Sequence, residues 1–146
     1  DWGQETKFST AIGVGECAGV MIDLVATLIL ESDEKIIFSE ESFANRVWAD
    51  SIYHSYAAMV NAAKALLLQK GVHCNTQTGI LKDFDLHFTE KGLYTEADSF
   101  KNLVLQINQI EPSEAFALSY LQQAKDFIAF ARQFREQSVL EVKVAS

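Results

Sequence analysis

Apolar and polar residues recur with a helical period along most of this chain, and the clearest case begins at residue 43. On a helix at about 100° per residue, the apolar side chains of residues 43–69 share one face. They are Trp48, Ile52, Met59, Ala63 and Leu66, with Tyr56 and Leu67 at the edge. The polar residues of the opposite face are Arg46, Asp50, His54, Asn61 and Lys64, with Ala57 among them. Such a helix needs other helices around it, because tertiary packing supplies most helix stability.

The first half of the chain is predicted to hold one further helix. Nine of the eleven residues from 20 to 30 are apolar, which indicates a central core helix that its neighbours cover on nearly every side. Residues 31–35 are charged and form either a turn or a solvated continuation of that helix. Residues 39–42, Ser-Glu-Glu-Ser, are expected to supply capping side chains before the helix of residues 43–69 begins.

The second half of the chain is predicted to hold three more helices. The long helix ends at Lys70 and Gly71, and shorter helices cover residues 80–90 and 99–110. The last helix is expected to have Pro112 in its first turn, and it carries the strongest amphipathic pattern of the chain. Its apolar residues share an arc of about 140°. They are Phe116, Ala117, Tyr120, Leu121, Ala124, Phe127, Ile128, Ala131 and Phe134.

These patterns predict an all-α fold, an antiparallel bundle of four or five helices. One proline and seven glycines in 146 residues favour long helices over strands and turns. We expect a linker from a preceding domain at residues 1–15, the bundle at 16–137 and a tail at 138–146, because the chain starts at Asp1 and resembles a piece of a longer polypeptide. The tail alternates apolar and polar residues, which is typical of a short strand beside residues 7–12 or of a frayed end.

Composition narrows the classes of function. The formal charge of −8, with twelve basic residues, argues against a surface that wraps nucleic acid, because phosphate neutralisation needs clustered Lys and Arg. A small anionic ligand such as a nucleotide stays open. Cys17 and Cys74 lack the spacing of a metal site or a disulfide framework, which indicates reduced thiols in a cytoplasmic protein. We expect no metal, no cofactor and no membrane span.

One group of polar residues has the spacing of a site. Arg46, Asp50 and His54 follow two i,i+4 steps on the outward helix face, so Asp50 could hold both a guanidinium and an imidazole. No nucleophile accompanies them, and solvated helix faces commonly carry such pairs, so we expect no catalytic residue. Tyr53 and Trp48 are interpreted as core or interface aromatics rather than base-stacking platforms. The candidate ligand-binding residues are Arg46, Asp50, His54 and Lys64.

Three segments resemble a known family of helical domains. Tyr53–Leu68, with the sequence YHSYAAMVNAAKALLL, resembles the second helix of HEPN domains, in which an aromatic residue or His and several small residues precede Ala-x-Lys-Ala-Leu-Leu. Gly79–Phe88 resembles the third-helix segment of that family, and Tyr120–Phe127 resembles its last helix. The resemblance implies an antiparallel bundle of four or five helices that often dimerises.

Four shorter segments look like the C-terminal HEPN-like extension of some bacterial ferredoxin-type nitrite/sulfite reductases. They are Asp1–Gly3, Gly13–Gly19, Asp83–Asp85 and Glu111–Phe116. This second resemblance implies a non-catalytic accessory or oligomerisation domain that forms a homodimer or docks against a parent catalytic domain. The cysteine clusters that hold sirohaem and an iron–sulfur cluster are absent from these 146 residues, so such chemistry would lie elsewhere in the polypeptide.

The HEPN resemblance also gives a motif by which the capacity to cleave RNA can be judged. Its nuclease members carry an Arg-x(4–6)-His motif near the last helix. Here seven residues separate Arg46 from His54, on a different helix, and no histidine follows Arg132 or Arg135. We therefore expect no ribonuclease activity. Two alternatives to the accessory domain stay open: a nucleotide- or RNA-binding HEPN module that uses the candidate residues, and a hydrolase that uses Asp50 and His54.

Overall fold

Five helices make up the described part of the chain, and residues 14–145 contain no strand. The computed structural model describes the backbone of residues 14–145 and the side chains of residues 23–138. The helices are α1 (Val14–Ala44), α2 (Trp48–Gln69), α3 (Gln77–Phe84), α4 (Phe100–Gln109) and α5 (Glu114–Ala145). After α3 the chain continues directly into a π-helical turn, Asp85–Thr89. The prediction of an all-α helical bundle is confirmed.

α2 lies at the centre of the bundle and packs against each of the other four helices. More than half of its residues are buried, among them Ile52, Met59 and Leu66 of the predicted apolar face. α1 runs antiparallel to α2 and also to α5. Three ion pairs join the α1 side of the bundle to α5: Asp33 with Arg132, Glu40 with Lys125 at 2.8 Å, and Arg46 with Glu114 at 3.9 Å.

Stacked aromatic side chains fill the space between the π-helical turn, α4 and α5. Phe84 and Phe88 stack with their ring centroids 4.5 Å apart, and Phe100 stacks on Phe127 at 4.6 Å. Phe84 also meets Phe127 edge-on at 5.3 Å. The four rings are fully buried. The predicted apolar face of α5 is therefore confirmed as a core surface, to which aromatic pairs add about 0.5–1.5 kcal/mol each beyond burial.

The carboxylate of Asp85 ties the π-helical turn to the start of α4. One of its oxygens accepts hydrogen bonds from the backbone N–H of Phe100 at 2.7 Å and the hydroxyl of Thr89 at 2.7 Å. The other accepts one from the N–H of Lys101 at 3.1 Å. A negative charge at a helix N-terminus is stabilised by the unpaired N–H groups there. Asp85 thus caps α4 from a distant part of the chain, beside the local cap Ser99.

Three buried hydroxyl groups join α1 to α2. Ser39 donates to the backbone carbonyl of Ser51 at 2.7 Å, and its oxygen lies 3.0 Å from the hydroxyl of Ser51 and 2.8 Å from that of Ser55. A serine hydroxyl donates once and accepts twice, so Ser51 and Ser55 donate to Ser39. We call these residues the serine cluster. It satisfies every hydrogen-bonding position of the Ser39 hydroxyl in a site that water does not reach.

The predicted start of the long helix is wrong, because the chain turns sharply at residues 45–47. α1 ends in a Schellman motif, in which the N–H of Val47 bonds the carbonyl of Ser42 at 2.9 Å and the N–H of Arg46 bonds that of Phe43 at 3.0 Å. Arg46 adopts the left-handed conformation with φ of 64°, where glycine is usual. Neither glycine nor proline marks this turn, so the helical pattern of the sequence continues across it without a break.

Two further expectations about α1 are corrected by its length. Residues 31–35 are a solvated continuation of α1, as one of the two alternatives held, but residues 39–42 lie inside the helix rather than ahead of the next one. The run of residues 20–30 is not covered on nearly every side. Val25 and Ile29 are buried, whereas Leu24 and Leu30 are exposed. Only one face of α1 contacts the bundle.

The ends of α5 also differ from the prediction. Pro112 lies just ahead of the cap residue Ser113, whose hydroxyl accepts the N–H of Phe116 at 3.1 Å, and the helix begins at Glu114. Residues 138–145 continue α5, so the predicted C-terminal strand is wrong. Residues 7–12, its expected neighbours, lie outside the described residues. The predicted stop after α2 is confirmed, with Gly71 at φ of 80°.

Replacing Ser39 by Ala is expected to lower the free energy of unfolding by about 2 kcal/mol, because the hydroxyls of Ser51 and Ser55 lose their shared acceptor in a buried site. Chemical denaturation measures the loss. Ser32→Ala is the matched control: Ser32 is equally buried on α1 but makes a single bond, to the carbonyl of Leu28 at 3.0 Å. Equal losses in the two variants would contradict the role given to the serine cluster.

Replacing Arg46 by Gly is expected to raise the free energy of unfolding by about 1 kcal/mol relative to Arg46→Ala, because glycine removes the Cβ that the left-handed conformation disfavours. Both variants lose the same exposed ion pair to Glu114, which contributes little. Urea denaturation of the two proteins measures the difference. If the alanine variant is as stable as the glycine variant, no strain resides at this turn.

Candidate functional site

Four aromatic rings form a continuous row on the surface where α1, α2 and the start of α3 meet. Phe38 comes from α1, and His54, Tyr53 and Tyr56 come from α2. The ring centroids of Phe38 and His54 are 5.6 Å apart, those of His54 and Tyr53 are 5.8 Å apart, and those of Tyr53 and Tyr56 are 6.2 Å apart. Phe38 is 42% exposed and Tyr53 is 57% exposed. We call these four residues the aromatic row.

The serine cluster sets the position of this row. Ser39 bonds Ser51 and Ser55, and its neighbour Phe38 is thereby placed beside His54, the neighbour of Ser55. Successive residues on a helix point about 100° apart, so Phe38 turns outward while Ser39 turns inward. The row is therefore held by a buried polar contact directly beneath it.

Tyr56 fixes the other end of the row to α3. Its hydroxyl donates to the side-chain oxygen of Gln77, the first residue of α3, at 2.5 Å. Burial raises the pKa of Tyr56 above its ordinary value, and neighbouring Tyr53 raises it further, so the hydroxyl stays protonated and keeps donating at neutral pH. Tyr53 is left as the one member of the row with its ring largely in water.

The cation of Lys35 lies at the α1 end of the row, and His54 lies in the middle of the row. The ammonium of Lys35 lies 5.7 Å from the centroid of the Phe38 ring. Nδ1 of His54 is buried and has no hydrogen-bond partner among the described residues. The row thus offers the π-faces of its rings and the positive charge of Lys35.

The four sequence-predicted ligand residues do not converge on one point. Arg46 belongs to the turn ahead of α2, where its guanidinium lies 5.9 Å from the Trp48 ring and 3.9 Å from a carboxylate oxygen of Glu114. Asp50 is exposed, and it makes no ion pair or hydrogen bond with a described residue. The predicted chain of contacts from Arg46 through Asp50 to His54 is therefore not formed, because Arg46 is not on the helix that the spacing assumed.

Trp48 belongs to the core, as one of the two alternatives for these aromatic residues held, whereas Tyr53 is not a core residue and its interface role stays a prediction. Trp48 is half-buried and packs on Phe43 with ring centroids 5.1 Å apart. Tyr53 is exposed, and the contribution of Phe38 was missed altogether. A cue was present: Tyr53 shares a helix face with Ala57 and Lys64, which belong to the polar side of the long helix.

The described part of the chain contains neither a cluster of metal-ligating side chains nor a membrane-spanning helix. No three His, Cys, Asp or Glu side chains within that part of the chain lie together as a set of metal ligands. No described helix combines the length and the apolar run that crossing a bilayer requires.

Lys64 lies away from the aromatic row, and its positive charge affects the pKa of the Cys74 thiol. The buried thiol of Cys74 donates to a carboxylate oxygen of Asp83 at 2.9 Å. Burial raises the pKa of this thiol to about 11, with the hydrogen bond to Asp83 and the negative charge of Asp83 adding to the effect, while the positive charge of Lys64 opposes it. At neutral pH the sulfur is thus a protonated donor that anchors the loop between α2 and α3.

Alkylation of Cys74 is expected to be slow at about pH 8, because the thiolate is the reactive form. In a Cys17→Ser background, Asp83→Asn is expected to lower the pKa of the thiol and speed reaction with iodoacetamide about tenfold per unit of pKa. Lys64→Gln removes the opposing charge and is expected to slow the reaction. Equal rates in the two variants, at unchanged thermal midpoints, would contradict this account.

Comparison with known proteins gives one family and two relatives. A family model described as HEPN domain matches residues 25–142. The chain is 31% identical over 72 residues to the protein named "Putative toxin MJ0605" from Methanocaldococcus jannaschii, across 49% of this chain and 54% of the relative. It is 46% identical over 43 residues to "UPF0332 protein PH1297" from Pyrococcus horikoshii, across 30% of each. The chain thus spans about half of the first relative and under a third of the second.

These matches correct one sequence-based expectation and confirm another. The assignment to an accessory domain of a nitrite/sulfite reductase is wrong, because the matching relatives carry other names, one of them that of a toxin. The resemblance to HEPN domains is confirmed, both by the family match and by the five-helix architecture. Since the match covers more than half of its residues, this chain belongs to the HEPN domain family.

Proposed function

We propose that this HEPN domain binds a nucleotide, or a short single-stranded segment of RNA, by stacking bases on the aromatic row, and that it does so without catalysis. The observation that carries the proposal is the exposure of Phe38 and Tyr53 at the two sides of His54. Exposed rings of this kind stack on any base, since every base has a π-face. Such stacking contributes about 1–3 kcal/mol per base.

The charge of the chain limits what the row can hold. With a formal charge of −8, the surface repels a long polyanion, and Lys35 is the one cation that contacts the row within the described residues. Binding that depends on many phosphate contacts is therefore disfavoured. Binding that depends on stacking, with one phosphate near Lys35, fits both the charge and the geometry.

The arrangement of polar groups supports binding rather than bond cleavage. Asp50 is exposed and makes no hydrogen bond to His54 within the described residues, so it does not orient the imidazole in this structure. Arg132 is paired with Asp33, and no histidine follows it in the sequence. A hydrolase built on Asp50 and His54 is accordingly the less favoured function. The expected cytoplasmic location and the expected homodimer stay predictions.

Tyr53→Ser is expected to weaken binding of a fluorescent nucleotide and of an oligoribonucleotide of about five residues by about tenfold, because a stacking face is lost. Leu118→Ser is the matched control, since Leu118 on α5 is also 57% exposed but lies away from the row. Fluorescence anisotropy measures both affinities. Neither variant is expected to lose stability, as both side chains are exposed.

The salt dependence of binding tests the same proposal in a second way. Between about 50 mM and about 200 mM salt, a stacking site with one phosphate contact is expected to give a slope of log affinity against log salt near −1. A slope several times steeper would show phosphate-driven binding elsewhere on the surface. The absence of binding by either ligand at the lower salt concentration would overturn the proposed function.

A further inference from the structure

The outward side of α1 carries a regular stripe that the bundle does not cover. Five residues fall within an arc of about 60° on this helix. They are Asp23, Leu30, Glu34, Ile37 and Glu41, and we call them the outer stripe. All five are exposed, Leu30 by 63% and Ile37 by 52%. Apolar and acidic side chains therefore alternate over about 27 Å of helix.

The two apolar residues of the outer stripe are exposed, although the helix that carries them is rich in apolar residues. The run of residues 20–30 has the composition of a helix buried on most sides, yet α2 and α5 cover only the face that holds Val25 and Ile29. Leu30 is the most exposed of the large apolar side chains in the described part of the chain. Apolar surface aligned on one helix face and left in water is typical of an interaction site.

Five carboxylates of α1 fall into two groups. Asp33 and Glu40 face α5 and pair with Arg132 and Lys125 across a groove between the two helices. The three carboxylates of the outer stripe make no ion pair within the described residues. Lys35 lies over Phe38, at the edge of the aromatic row. The stripe thus keeps three negative charges beside two apolar side chains.

We propose that the outer stripe of α1 docks an amphipathic, basic helix of a partner protein. Leucine-type side chains of that helix would cover Leu30 and Ile37, and its Lys or Arg residues would pair with Asp23, Glu34 and Glu41. About five helical turns match the length of the stripe. A second copy of this chain fits poorly, because a two-fold contact would bring three carboxylates against three.

The probe for this surface is a fluorescent peptide of about 18 residues, with Leu at helical spacing and Lys on both flanks. We expect it to bind the full chain at least tenfold more tightly than an analogue with Glu in place of Lys. A scrambled peptide of equal charge, which lacks an apolar face, is expected to bind as weakly as the Glu analogue. Backbone amide shifts on binding should fall within residues 23–41.

Variants of the outer stripe then locate the contact. The double variant Leu30→Ser, Ile37→Ser is expected to bind the Lys peptide about tenfold more weakly. The double variant Glu34→Gln, Glu41→Gln is also expected to bind it more weakly, and the salt dependence of that binding should decrease. Leu118→Ser should leave the affinity unchanged, and nucleotide binding at Tyr53 should survive both double variants. Thermal melts show whether each variant is folded.

Three results would overturn the proposal. The first is equal binding of the Lys and Glu peptides. The second is wild-type affinity in the folded Leu30→Ser, Ile37→Ser variant. The third is a dimer in light scattering that this double variant converts to monomer, since the occupant of the stripe would then be a second copy.

Discussion

The register between α1 and α2 is the constraint on which the rest of this surface depends, and one buried hydroxyl group maintains it. Ser39 engages Ser51 and Ser55 with all of its hydrogen-bonding capacity. A slip of one helical turn, about 5.4 Å, would leave these hydroxyls unpaired in a site that water does not reach. The same slip would part Phe38 from His54. A polar contact in the interior thus determines which side chains meet outside.

The residues around the serine cluster explain why α1 is buried on only one face. The side of α2 that carries Ser51 and Ser55 also carries Ala58, Ala62 and Ala65. Small side chains let two helices approach closely, but they contribute little apolar surface. The adjoining side of α2 carries larger buried side chains, among them Ile52, Met59 and Leu66, and α2 also packs against α4 and α5. α1 thus packs closely on a narrow strip of α2, and apolar residues of α1 outside this contact, such as Leu24, Leu30 and Ile37, face outward.

The aromatic row and the outer stripe border each other at Phe38 and Ile37 of α1 but differ in chemistry. The row offers π-faces and the positive charge of Lys35, which suit a base and a phosphate. The stripe offers Leu30, Ile37 and unpaired carboxylates, which suit a basic helix. Membership of the HEPN family is compatible with both, since a fold does not dictate the chemistry of its surface.

Periodicity and capping residues are enough to predict the all-α bundle, the stop at Gly71, the start of α4 after Ser99 and the apolar face of α5. Each of these depends on residues close together in the chain, whose helical spacing fixes which side chains share a face. His54 was found in this way, as a member of the polar stripe. The turn at Arg46 was not, because a non-glycine residue in the left-handed conformation leaves no mark in the sequence. Tertiary packing alone decided that Phe38 lies beside His54 and that Leu30 stays exposed. A pattern shows which face of a helix is apolar, whereas burial depends on how many neighbours reach that face and how closely they pack.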